Sequence, residues 1–135
     1  MNRGWLILGA LVLAIATGAC QSRAAAEPAQ TSSASTTTSA TSVLLFANLG
    51  EADEPCTCGE VIRAVRAGAA RGVKAREVDT RNKDEKAKVS QQYKIMVSPA
   101  VLFLDDAGME VNRYEGESKE TLAGVKAMLE KVAKK

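Results

Sequence analysis

Two five-residue apolar runs, Val43-Leu44-Leu45-Phe46-Ala47 and Ala100-Val101-Leu102-Phe103-Leu104, set the strongest limit on how this chain can fold. Each is shorter than an ordinary helix and offers no polar side chain to water. Each therefore reads as a strand buried on both faces. A sheet covered on both faces needs helices, and the intervening sequence supplies them. Cys58 to Ala70 repeats Val61, Ile62, Val65 and Ala69 at helical spacing, with Glu60, Arg63 and Arg66 on the other side. Gly72 is placed to stop that helix, and Val73 to Asp79 reads as a second strand. Asn82 to Tyr93 is a charged helix with Ala87, Val89 and Tyr93 to bury. Asp105-Asp106-Ala107-Gly108 is a turn, from which Met109 to Tyr114 pairs back as a hairpin. Ser118 caps a last helix that runs to about Ala133. The order β-α-β-α-β-β-α opens with a right-handed βαβ unit and closes with an antiparallel hairpin. The expected fold is α/β, a mixed four-stranded sheet flanked by helices.

Upstream of Ser42 nothing can join that core. Residues 31–42 contain only Ser, Thr and Ala. Residues 20–41 are read as a disordered linker, which would span on the order of 25 Å. Residues 1–19 have the order of a secretory signal: Arg3, then an apolar stretch from Trp5 to Ala16, then small residues. Thr17-Gly18-Ala19-Cys20 resembles the lipobox of bacterial lipoproteins. That resemblance implies lipidation of Cys20 and a lipid anchor in the bacterial periplasm or cell envelope. Gln21, where inner-membrane members often carry Asp, points to the outer membrane. Cleavage near Ala16 or Ala26, or a retained apolar anchor, are the alternatives. The folded domain is expected over residues 42–135.

Charge and composition exclude several classes. The net charge is +2, from 18 basic and 16 acidic residues spread along the chain, which gives no nucleic-acid surface. The chain has no histidine, so Ser-His and Cys-His pairs and His-ligated metals are ruled out. Three cysteines remain: Cys20, Cys56 and Cys58. The last two sit where the first helix should begin. A helix N-terminus favours a thiolate, the form that attacks disulfides, while Glu51, Asp53, Glu54 and Glu60 oppose it.

The element order with a cysteine pair at the first helix resembles the thioredoxin-like family, without its extra N-terminal strand and helix. The segment Tyr93-Lys94-Ile95-Met96-Val97-Ser98-Pro99 leading into Ala100–Leu104 is similar to that family's approach to its cis-proline. Gly108, Arg113-Tyr114-Glu115-Gly116 and the last helix are similar to its ending. The resemblance implies thiol–disulfide exchange, with Cys56 attacking and Cys58 resolving. It places Pro99 as the cis-proline, and Ser98, Pro99 and Thr57 against substrate. It implies no cofactor, no bound metal, and protein thiols, disulfides and a membrane reductase as partners of a monomeric domain.

The chain also departs from the family pattern. A single residue, Thr57, separates the cysteines, Pro55 replaces an aromatic, and Leu45 stands where many members carry a buried acid. A disulfide across one residue closes a small ring, and strained disulfides are more reducible and tend to be catalytic or regulatory. A ready oxidant or an isomerase-like pair is therefore expected. Two other readings stay open: Cu(I) or soft-metal handling by the same thiols, and a non-redox adaptor of the same fold. Met96 and Met109 are read as core or strand residues rather than metal ligands.

Overall fold

The computed structural model describes residues 39–134. The expected leader, linker and Cys20 lie outside the described residues, apart from the linker's last positions. Four strands form one sheet in the order β2-β1-β3-β4: β1 (Ser42–Ala47), β2 (Lys74–Asp79), β3 (Ala100–Leu104) and β4 (Glu110–Glu115). β1 pairs in parallel with β2 and antiparallel with β3, and β3 pairs antiparallel with β4. The helices are α1 (Thr57–Ala70), α2 (Lys83–Tyr93) and α3 (Lys119–Ala133). The mixed, helix-flanked α/β sheet is thus as the sequence implies.

The two apolar runs explain the layering. Alternate residues of a strand point to opposite faces. Val43, Leu45 and Ala47 of β1, with Val101 and Phe103 of β3, join the layer of α1 and α3. Leu44 and Phe46, with Ala100, Leu102 and Leu104, join Val89, Ile95 and Val78 on the α2 side. Every position is taken up by one face or the other, which is why neither run can spare a polar residue.

α1 buries Cys58, Val61, Ile62, Val65 and Gly68, one stripe at helical spacing. The expected Ala69 is exposed and Gly68 replaces it. The cause lies in α3: Leu129 packs against Gly68 so closely that a Cβ there would come within 2.9 Å of its Cδ2 and make that side chain shift. On α2 the expected Ala87 is exposed and Val89 alone is fully buried, with Tyr93 half-buried. Arg113 of β4 compensates at the end of this weakly anchored helix. Its guanidinium donates to the Tyr93 and Lys94 carbonyl oxygens at 2.5 and 3.3 Å, groups a helix C-terminus leaves without partners.

Both methionines also differ from expectation: Met96 is 88% and Met109 66% exposed. Lys94 ends α2 in the left-handed conformation (φ 53°), which turns Ile95 inward and leaves Met96 to solvent. Met109 closes the hairpin turn through its backbone, accepting from Asp105 N–H at 2.9 Å, and its side chain points away. Among the described residues no helix is long and apolar enough to cross a membrane.

Candidate functional site

The site is built where β1 hands over to α1. Asn48 caps a short 3₁₀ turn, Leu49–Glu51, its side chain accepting from Gly50 N–H at 3.2 Å and donating to Glu51 Oε1 at 2.7 Å. The loop then doubles back over the first turn of α1. Arg63 fastens it there, donating to the Ala52 carbonyl at 2.5 Å and the Glu54 carbonyl at 3.2 Å. Gly59 permits the approach. A Cβ at this position would stand 2.6 Å from the Glu51 carbonyl oxygen and collide with that of Glu54.

Cys56 is the N-cap residue of α1, with Thr57 the first helical residue and Cys58 the second. The Cys56 Sγ, half-buried, accepts the Gly59 N–H at 3.3 Å. Its sulfur thus satisfies one of the donors that a helix N-terminus leaves free. Cys58 points the other way, into the α1–α3 layer, and is 1% exposed. Its thiol is pushed up to about 12, first by burial, then by the Glu51 carboxylate as hydrogen-bond acceptor and negative charge, then by Cys56 and Glu117. Both thiols are free. The two cysteines are therefore unlike in kind: one accessible sulfur on a helix cap, and one buried thiol held protonated.

Ser98 and Pro99 reach the same end of the sheet. Phe46 pairs with Ala100, so Ala47 at the end of β1 lies level with Pro99 at the start of β3. Pro99 is buried, Ser98 is exposed, and the bond between them is cis. The Pro99 carbonyl accepts from Gly116 N–H at 2.8 Å, which draws the β4–α3 connection and Glu117 to this pole. Thr57 is half-buried between the cysteines.

Two groups were not singled out as site residues from sequence. Glu51 was legible only as one acid among several. The signal was Asn48 three residues ahead of it, the spacing of a capping box. Glu117 carried no signal, since it reaches this pole through the β4–α3 connection that the Gly116 N–H ties to the Pro99 carbonyl. The acids at this pole share one property. Ion pairs join Arg66 to Glu77, Arg76 to Glu85, Arg81 to Asp79, and Arg113 to Glu110 and Glu115. Among the described residues none involves Glu51, Asp53, Glu54, Glu60 or Glu117.

No cluster of three or more acidic or cysteine side chains is placed to hold a metal ion among the described residues. An open cleft of about 470 Å³, lined by Leu44, Lys74, Arg76, Tyr93 and Leu104, lies at the opposite end of the sheet and takes no part in this site. Comparison with known proteins finds no matching family model, no matching curated protein and no matching solved structure.

Proposed function

We propose that residues 42–135 form a thioredoxin-like domain that carries out thiol–disulfide exchange or isomerisation through Cys56 and Cys58. The observation that carries this reading is the Cys56 sulfur on the α1 cap, accepting Gly59 N–H, with a second thiol two positions into the same helix. The sheet order and the split of helices between its faces support the family resemblance. In this reading the Cys56 thiolate attacks a substrate disulfide, forming a mixed disulfide and releasing one substrate sulfur. Cys58 then attacks the Cys56 sulfur and releases the other. Ser98, beside the site and exposed, and Thr57 are the substrate-facing residues.

The test is thiol titration of the full chain, with Cys20→Ser to leave two reporters, against a series of glutathione ratios. The expected result is an intramolecular disulfide that is lost in Cys56→Ser. In Cys58→Ser a mixed disulfide should accumulate at Cys56 instead. A pair that closes at no ratio overturns the reading.

The proposal extends to place. The lipobox-like Thr17–Cys20 segment supports an envelope lipoprotein anchored through Cys20, with no spanning helix required. The intact mass of the membrane-fraction protein should show acyl chains on an N-terminal Cys20. A mass that begins elsewhere, or lacks acyl chains, rejects the anchor.

A further inference from the structure

The end of the sheet away from the cysteines has a charge character of its own. β1 starts there at Ser42, paired with Lys74 and Leu104, and the Thr41 N–H donates to the Leu104 carbonyl at 2.8 Å. Arg71, the C-cap of α1, stands just before Lys74. α3 runs to the same end, since Leu129 packs on Gly68 near the close of α1, and Lys131 and Lys134 follow it. Arg71, Lys74, Lys131 and Lys134 are exposed, and among the described residues none has an ion-pair partner. Arg76, also exposed, is paired with Glu85 at 3.0 Å. The acids at this end are Glu130 and the turn residues Asp105 and Asp106. That turn joins β3 to β4, at the sheet edge away from β2, and Asp105 already accepts the Ala107 and Met109 N–H groups at 2.9 and 2.8 Å.

The open cleft of about 470 Å³ lies at this same end. Its exposed lining is Lys74 and Arg76, and its inner lining is Leu44 and Leu104 with the half-buried Tyr93. Cations beside a tyrosine ring suit the headgroup level of a bilayer, where the cations meet phosphate and the ring meets the interface. The cysteine pole is its opposite. Glu51, Asp53, Glu54, Glu60 and Glu117 stand there against Arg63, Lys83 and Lys119. An anionic surface therefore attracts one end of the domain and repels the other.

We propose that the basic end is a docking face for an anionic phospholipid surface, on which the domain stands with its cysteine pole away from the bilayer. The choice of partner rests on the envelope reading above, while the docking itself needs no acyl chain on Cys20. Each basic group near such a surface strengthens binding by about fivefold.

The experiment sediments the full chain, carrying Cys20→Ser, with vesicles of phosphatidylcholine alone or of equal parts phosphatidylcholine and phosphatidylglycerol. The segment upstream of the domain is the same in every variant, so comparison between variants reads the folded face. Lys74→Gln with Lys131→Gln should weaken binding to the anionic vesicles by about twenty-five-fold, and Glu at both positions should weaken it further. Lys83→Gln with Lys119→Gln removes the same charge from the other pole, beyond a screening length of about 10 Å, and should cost less than about fivefold. Binding of the parent chain should fall as salt rises from about 0.1 M to about 1 M, where the screening length drops to about 3 Å. On the vesicles Cys56 should react with a water-soluble maleimide as fast as it does in solution. Equal losses in the two lysine pairs, binding indifferent to salt, or a Cys56 shielded on the vesicles overturns the docking face. A chain that is acylated in cells but shows no preference for the anionic vesicles also overturns it and leaves the anchor standing. A cellular mass without acyl chains rejects the anchor alone.

Discussion

Alkylation of the native chain at about pH 7.5 should mark Cys56 and leave Cys58 essentially untouched, because Cys58 carries about a thousandfold less thiolate than an ordinary thiol at that pH. The figure follows from a thiol raised from 9.0 to about 12, and burial adds to it. Peptide mapping after iodoacetamide treatment, with and without denaturant, reads the result. Equal labelling of both cysteines in the folded state would contradict the burial of Cys58.

The same asymmetry makes stability fall in alkali, and the sign follows from proton binding. The folded chain holds the Cys58 proton more tightly than the unfolded chain does. Its contribution is therefore complete below about pH 9 and is lost as the pH rises toward about 12, up to about 4 kcal/mol in all. Urea midpoints measured across that range should drop more steeply for the parent chain than for Cys58→Ala. The variant starts lower for want of packing, but it lacks the titrating thiol. Parallel pH profiles would count against the shift.

Gly59→Ala should destabilise the domain, although alanine is the better helix former. Helix propensity alone favours the substitution by about 1 kcal/mol. The added Cβ, however, meets two backbone carbonyls, Glu51 at 2.6 Å and Glu54 closer still. Neither can swing aside like a side-chain tip. The loop must lift, and the Arg63 bonds to Ala52 and Glu54 stretch with it. Overpacking of this kind costs about 1–3 kcal/mol, with the upper end apt where backbone must move. The net loss should be about 2 kcal/mol, or about 10 °C in the midpoint of thermal unfolding. The lifted loop should also uncover Cys58 and quicken its alkylation. A variant as stable as the parent would mean that the loop does not sit on α1 as described.

These two results bear on different parts of what the sequence made legible. The sheet could be read because Val43–Ala47 of β1 and the whole of β3 are apolar, a pattern with one simple cause, cover on both faces. The stripe on α1 could be read up to its last turn. It failed at Gly68, because that glycine is set by Leu129, far along the chain on α3, and local periodicity holds no record of the partner. Ala87 failed for a related reason: α2 rests on the sheet through Val89, with Ile95 beyond its end, and presents few other apolar residues inward. Met96 was misplaced because a lysine, not a glycine or asparagine, takes the left-handed turn that ends α2.

At the site, the cysteine pair was plain in the sequence, but the difference between its members was not. Burial of Cys58 depends on the helix phase, which begins at Thr57, one residue earlier than the expected start. The closeness of Glu51 depends on a loop that Gly59 and Arg63, one turn apart on the same face of α1, bring down together. Neither contact has a local signature, because both join residues whose nearness exists only after the chain has folded back on itself.

The course of β1 has a consequence for anything joined to the domain's N-terminal side. The chain enters the sheet at Ser42, whose partners are Lys74 and Leu104, and leaves it at Ala47, on the pole of the cysteines. Six residues of strand put about 20 Å of rigid backbone between the two events. An attachment made before Ser42 therefore meets the domain at the end of the sheet opposite the pole of the cysteines. On the exchange reading proposed above, a partner of Cys56 meets the domain at the pole away from that attachment.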